Sequence, residues 1–250
     1  MTILNIAAYR FVPLNDLAQM RAAFRQRGAQ LGLKGTILLA AEGINLFLAG
    51  TAADVEAFLQ TLRADARFAA IEVKRSWSAQ QPFGRLLVKI KREIVTMGRP
   101  EIDPVAVSAP RLPPQELRRW LDEGRDVVLL DTRNQFEVDL GSFANTLALG
   151  LKSFRDFPRA TQTLAETLKD RPIVTFCTGG IRCEKAAPWL IGQGFREVYQ
   201  LEGGILNYFE QCGGAHFRGA CFVFDERVAL DAALRESGAA ESGAQPPQPA

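Results

Sequence analysis

The residue pattern predicts two joined units of different class: an α+β unit on an antiparallel sheet, then an α/β unit on a mostly parallel one. Three observations carry this. Apolar runs and helical spacings follow one another as strand, helix, strand, strand, helix, strand through the first part. A stretch dense in Pro, from Gly98 to Pro114, breaks that pattern. Beyond it, short apolar runs alternate with helical segments, as parallel strands joined by helical crossovers require.

Ile3 to Val12 reads as a strand. Asn15 to Leu31 has helical spacing at Leu17, Met20, Ala23, Phe24 and Leu31, with Asn15 or Asp16 placed to cap it. Thr36 to Ala40 and Ile44 to Ala49 are apolar runs joined by Glu42-Gly43, which makes a hairpin. Thr51 caps a second helix reaching Leu62, and Ile71 to Trp77 and Leu86 to Ile94 supply further strand. This is the ferredoxin-like order, in which helices cover one face of an antiparallel sheet.

Gly98-Arg99-Pro100, Asp103-Pro104, Ala109-Pro110 and Pro113-Pro114 read as a linker over 98–113 that cannot continue regular structure, leaving 1–97 as the first domain. Pro114-Gln115-Glu116 starts a helix to Leu121, and Val127 to Leu130 starts the sheet of a second domain, 114–215. Residues 216–236 read as an extension packing on the domains. Residues 237–250 are rich in Gly, Ala, Pro and Gln without apolar anchors, so a disordered tail is expected.

With 250 residues, 47% hydrophobic and 23% charged, the composition is that of an ordinary soluble protein of one or two domains. No run approaches the ~20 apolar residues of a membrane span. The first residues lack the basic start and long apolar core of a secretory signal, so a cytoplasmic protein without a membrane partner is expected. Four cysteines, Cys177, Cys183, Cys212 and Cys221, are too few and too irregularly spaced for a disulfide framework. Cys212, His216 and Cys221 lack the close ligand pair of a zinc site, so no metal is expected. His216 is the only histidine. An iron triad with two histidines is therefore ruled out, no Gly-rich dinucleotide motif follows a strand, and no flavin or nicotinamide signature is present. Nothing near His216 in the sequence suggests an orienting partner, and it reads as a surface or interdomain residue.

Charge is uneven although the chain carries only +2. Through Arg99 there are 14 Lys/Arg against 7 Asp/Glu, a net +7; the rest holds 16 against 21, a net −5. A cationic unit joined to an acidic one points to a polyanionic partner, nucleic acid above all. Candidate RNA-binding residues are Lys74, Arg75, Arg85, Lys89, Lys91 and Arg92, with Trp77 and Phe83 able to stack on unpaired bases. The alternative is a solvated sheet face that only aids solubility.

Cys177 opens the segment Cys177-Thr178-Gly179-Gly180-Ile181-Arg182-Cys183, between the apolar run Ile173 to Phe176 and the helical stretch Glu184 to Ile191. A strand, a tight loop and a helix start turn backbone N–H groups inward and favour an anion. A cysteine at the mouth of such a loop is expected as thiolate, the nucleophilic form, with Arg182 adding positive potential. The glycines bring the backbone close to whatever the sulfur carries.

This loop resembles the active-site loop of a rhodanese domain. Upstream, Val127-Val128-Leu129-Leu130-Asp131-Thr132-Arg133 followed by Glu137 and Gly141 is similar to the rhodanese signature, and downstream Gly194 to Ile205 is similar to its closing strand and Gly-Gly turn. Ser142 stands where many rhodanese domains carry His. Four residues lie between Cys177 and Arg182, whereas the related dual-specificity phosphatases place five to encircle a phosphate; the shorter ring suits sulfur.

Adding Lys34 to Asn45 in the first unit and Gly219-Ala220-Cys221-Phe222-Val223-Phe224-Asp225-Glu226-Arg227-Val228 near the end, the chain resembles the rhodanese-related tRNA uridine hydroxylases over about residues 1 to 230. The resemblance implies oxygen-dependent hydroxylation of the wobble uridine at C5, with tRNA as partner and molecular oxygen as co-substrate. It makes Cys177 the catalytic sulfur, with a persulfide or other oxidised sulfur as a possible intermediate, and Thr178, Gly179, Gly180, Ile181 and Arg182 the loop that holds the anionic sulfur. Cys183 is either a resolving thiol or a buried residue of the helix's first turn. Asp131, Arg133 and Glu137 read as structural, Glu202-Gly203-Gly204 as a turn beside the loop, and Asp225 with Arg227 as an interdomain ion pair. Two other readings stay open: a sulfurtransferase moving sulfane sulfur through a persulfide, and a non-catalytic RNA-binding module. The sequence carries no signal of oligomeric state, and a monomer is compatible with all of it.

Overall fold

A computed structural model describes residues 2–164 and 166–237. The expected disordered tail lies outside the described residues except for Ser237. Two compact units are present, Met1–Thr96 and Met97–Ala250. Among the described residues no helix is long and apolar enough to cross a membrane.

The first unit runs β1 (Ile3–Phe11), α1 (Leu17–Gln30), β2 (Lys34–Ala40), β3 (Gly43–Gly50), α2 (Ala52–Arg63), β4 (Val73–Ser78) and β5 (Leu86–Ile90). Strand order is β4-β1-β3-β2-β5. Alternation decides the covered face: Leu4, Ile6 and Ala8 of β1, Ile37 and Leu39 of β2, and Ile44, Leu46 and Leu48 of β3 are buried in one core. Met20 and Phe24 of α1 and Val55, Phe58, Leu59 and Leu62 of α2 complete it. The β2–β3 turn requires Gly43, whose φ is +148° and whose absent Cβ would lie 2.1 Å from the Arg10 carbonyl oxygen.

Three expectations are corrected here. The first four strands pair antiparallel, but β5 adds parallel to β2 at the sheet edge. It also ends at Ile90 rather than Ile94, because Glu42 Oε1 accepts from the Ile94 N–H at 2.7 Å and Asn45 Nδ2 donates to the Ile94 carbonyl at 3.2 Å, holding the chain off the strand path. Asp16 sits at the start of α1 but its side chain does not cap it. Arg67 takes that carboxylate in a paired contact of 2.6 and 2.9 Å, which a guanidinium fork favours over a single backbone bond. Thr51 does cap α2, accepting from the Asp54 N–H at 3.2 Å.

The second unit runs β6 (Arg111–Leu112), α3 (Pro114–Asp122), β7 (Val128–Asp131), α4 (Gln135–Val138), β8 (Gly141–Phe143), β9 (Leu147–Ala148), α5 (Phe157–Ala160), β10 (Ile173–Phe176), α6 (Cys183–Gly192), β11 (Val198–Leu201), α7 (Gly204–Cys212), β12 (Phe217–Gly219), β13 (Cys221–Phe222) and β14 (Ala229–Leu230). The main sheet, β6-β11-β10-β7-β9, is parallel throughout. Every residue of β7 and β10 is buried, as expected of strands covered on both faces. The stretch read as breaker-rich linker therefore does contain regular structure: β6 pairs with β11, and prolines at 110 and 113 flank the pair without occupying it. After α7, β12 pairs antiparallel with β8, and β13 with β14.

Candidate active site at the Cys177 loop

The loop leaves the C-terminal end of β10 and enters α6, at the edge where parallel sheets place their chemistry. Its backbone polarity is sorted by neighbours. The Cys177 and Thr178 carbonyls accept from the first amides of α7, Ile205 N–H at 3.0 Å and Leu206 N–H at 3.1 Å, and the Gly180 carbonyl accepts from Cys183 N–H at 3.0 Å. With carbonyls tied off, amides face the sulfur: Gly180 N–H donates to Cys177 Sγ at 3.1 Å. Gly180 has φ +98°, and Gly204 of α7 has φ +68° and lies where a Cβ would be 2.4 Å from the Cys177 carbonyl oxygen.

Cys177 is 1% exposed. Burial by itself pushes its thiol up, but a hydrogen bond from Cys183, the positive charge of Arg182 and the amides of Arg182 and Gly180 outweigh it and bring the thiol down to about 6. Cys183 moves the other way. Its thiol, fully buried and facing the ionised Cys177, is pushed well above the ordinary range, so it stays a proton donor. Thr132 Oγ1 lies 3.9 Å from Cys183 Sγ.

The structure places Arg182 at the N-cap of α6, nearly buried. Its Nη2 donates to Glu137 Oε1 at 3.0 Å and its Nη1 lies 2.9 Å from Oε2, close enough for an ion pair but without hydrogen-bond geometry. Arg182 therefore reaches the sulfur through its charge and its backbone N–H, not as an open guanidinium hand. Glu137 also accepts from Asn134 N–H at 3.1 Å, which locks it at the start of α4. A second buried pair braces the strand before it. Arg133 donates Nε and Nη2 to the Asp131 carboxylate at 2.9 and 2.6 Å and Nη2 to the Gly141 carbonyl at 2.7 Å. Ser142 donates to the same carboxylate at 2.9 Å, so the hydroxyl at the departure position serves that ion pair. Two carboxylates and two guanidiniums thus balance under one thiolate.

Glu137 reads in the sequence as a structural, ion-pairing residue, but the pattern does not name Arg182 as its partner. The signal was present in principle, since a buried arginine demands a carboxylate, but the partner lies 45 positions away. Asp225 and Arg227 pair with each other at 2.6 Å, with both side chains nearly buried. The same Asp-x-Arg device occurs at Asp65 with Arg67 and Asp131 with Arg133; in each, the arginine N–H and guanidinium both bond the aspartate. His216 does have an orienting partner, Asp122 Oδ1 at 2.6 Å from Nε2. Among the described residues no three His, Cys, Asp or Glu side chains converge as metal ligands would.

The basic residues of the first unit divide between faces. Lys74 lies opposite Ala7, on the sheet face away from the helices, with its Nζ 5.5 Å from the Tyr9 ring centroid. Lys89 shares that face, opposite Leu38. Arg75 lies opposite the core residue Ile6 and is paired with Glu56 at 2.8 Å, so it belongs to the helix-covered side. Arg85, Lys91 and Arg92 are exposed at the two ends of β5.

Residues 3–94 match the UPF0176 acylphosphatase like domain, and residues 113–211 match the Rhodanese-like domain. A protein of Bordetella avium is 56% identical over 240 residues, covering 94% of this chain and 99% of its own. One of Cupriavidus taiwanensis is 53% identical over 95% of this chain and 86% of its own, and one of Variovorax paradoxus 52% identical over 97% and 95%. Each of these relatives is named tRNA uridine(34) hydroxylase. With both parts matched in order and half or more of all residues shared along nearly the full length, the chain belongs to the family of tRNA uridine(34) hydroxylases.

Proposed function

We propose that this chain is an oxidoreductase that hydroxylates C5 of the wobble uridine of tRNA, and that Cys177 is its reactive sulfur. The observation that carries the second part is a buried cysteine held ionised by loop amides and the Arg182 charge. Uracil C5 is a weak nucleophile until C6 is attacked. A sulfur nucleophile that bonds to C6 sends the C5–C6 electron pair onto C5 and O4, and C5 then attacks an oxygen electrophile. Loss of the C5 proton and departure of sulfur restore the double bond. With molecular oxygen as the electrophile, as the family implies, C5 first carries a hydroperoxide, and two thiols that become a disulfide supply the two electrons that leave one oxygen on C5 as hydroxyl and release the other as water.

One feature favours a persulfide as the form that meets the base. Cys177 is almost wholly buried, and a second sulfur bonded to its Sγ would extend the reach of the nucleophile by about 2 Å. The same feature keeps sulfane transfer as the second reading, because an outer sulfur on Cys177 is also what a sulfurtransferase passes on. The cationic first unit supplies attraction for the tRNA backbone, and a tRNA substrate supports a cytoplasmic reaction.

Nucleoside digests of tRNA from cells with and without the gene separate these readings. Loss of 5-hydroxyuridine supports hydroxylation, loss of a thiolated nucleoside supports sulfur transfer, and no change in either leaves only an RNA-binding module. Cys177→Ser expressed in the deletion strain is expected to restore nothing; full restoration would remove the sulfur from the mechanism.

A further inference from the structure

Residues 100–250 hold 21 Asp/Glu against 16 Lys/Arg, and in such a unit a surface cation readily finds a carboxylate. Arg118, Arg119, Arg125, Arg171, Arg196 and Arg235 each pair with an aspartate or glutamate. The turn after β9 departs from that pattern. Lys152, Arg155 and Arg159 are all exposed and, among the described residues, none of them forms an ion pair. Two of the three border a hollow: a cavity of about 450 Å³ has Gly150, Lys152, Asp156, Arg159 and Thr163 in its wall, whereas Arg155 is not part of it. The wall's one carboxylate, Asp156, accepts from Ser153 N–H at 3.1 Å and so closes its own turn.

The sheet fixes how far this cavity lies from the sulfur. β10 pairs with β7 at Phe176 and Asp131, and β7 with β9 at Asp131 and Ala148, so these three residues form one row at the C-terminal edge. Cys177 is one residue past the first, and the cavity wall begins at Leu149, one residue past the last. With neighbouring strands about 4.8 Å apart, the two exits are separated by about 10 Å. Gln135 N–H donates to the Leu151 carbonyl at 2.7 Å, and the same α4 carries Glu137, the partner of Arg182, so cavity wall and thiol loop share one brace. Phosphates of a stacked strand recur about every 3.4 Å, which puts the cavity within about three nucleotides of a base at Cys177. Unpaired cations beside a hollow suit a backbone phosphate, which arginine takes with its fork and lysine as a point charge. We propose that Lys152 and Arg159 hold one backbone phosphate of the anticodon strand in this cavity and so set the register of the wobble uridine at the Cys177 loop. The assignment rests on the reading that a tRNA uridine is the substrate.

The test is equilibrium binding of the full chain to anticodon stem-loops in which the phosphates flanking the wobble uridine are replaced, one at a time, by neutral methylphosphonates. One replacement is expected to weaken binding by the wild type about ten-fold. The same replacement should cost Lys152→Ala and Arg159→Ala less than about three-fold, because its partner is already gone. With unmodified RNA, each of these variants should lower the slope of log K against log salt by about one, and Arg155→Ala, equal in charge but outside the wall, by less than half as much. The thermal midpoint and the alkylation rate of Cys177 report whether each variant keeps its fold and loop. The assignment is overturned if no replacement stands out, if the one that does costs the variants as much as the wild type, or if Arg155→Ala matches Arg159→Ala, the mark of a diffuse cationic surface. Variants that lose inorganic phosphate but keep the stem-loop would make the cavity a small-anion site and overturn it as well. A deletion strain that keeps its 5-hydroxyuridine would instead refute the proposed activity, independently of these affinities.

Discussion

The ionisation of Cys177 is set by a contest between burial, which disfavours charge, and four groups that donate or carry positive charge toward Sγ. Its alkylation rate against pH is therefore expected to show a midpoint near 6, far below the ordinary thiol value of 9.0. The sign follows from the reactive form: thiolate predominates above that midpoint, so the rate is nearly flat at neutral pH and drops as the solution is acidified through it. Cys183→Ala removes a donor to the thiolate and should move the midpoint up. A wild-type midpoint close to 9 would contradict the structure, and because burial slows access, the midpoint and not the absolute rate is the measurement. Glu137→Gln makes a different prediction. It leaves the nearly buried Arg182 without a counter-charge, and a loss of about 3 kcal/mol is expected in urea unfolding of the full chain. A change below about 0.5 kcal/mol would show that the pair is not desolvated as described.

At the scale of elements, the loop works because α7 begins where it does. The Ile205 and Leu206 amides hold the two carbonyls that would otherwise turn toward the sulfur, and Gly203-Gly204 permits the approach with φ of +69° and +68°. Gly204→Ala introduces a carbon 2.4 Å from the Cys177 oxygen and 2.8 Å from the Gly180 nitrogen. It is expected to cost about 2 kcal/mol or more from backbone strain alone, and to slow Cys177 alkylation at neutral pH by displacing the amides. Unchanged stability and alkylation would show that the helix start does not shape the loop. In the first unit, Thr51→Ala should cost about 1 kcal/mol, the ordinary value of a helix cap, without altering the thiol.

For the whole molecule, the charge division makes a binding prediction. Affinity for tRNA should fall with rising salt, and Lys74→Ala and Lys89→Ala should each reduce the slope of log K against log salt by about one. Arg75→Ala should change it less, because Glu56 already pairs with that guanidinium. Equal effects at all three positions would mean that the sheet face away from the helices is not the cationic surface that meets RNA.

The strand and helix order of the first unit, and β7, β10 and α6 of the second, were legible in the residues, because apolar runs and helical spacings are one-dimensional records of which faces are covered. The Cys177 loop was legible for the same reason: its thiol, glycines, arginine and helix start are contiguous. Everything that depends on two distant segments meeting was not. The pairing of Glu137 with Arg182, the seizure of Asp16 by Arg67, the parallel addition of β5 and β6, and the approach of the Phe224 ring to Arg182 each join residues that no local periodicity links. Local propensity and pattern act through neighbours along the chain, so they determine elements and contiguous motifs; charge partners, edge strands and the walls of a site are decided by which surfaces the folded core leaves adjacent.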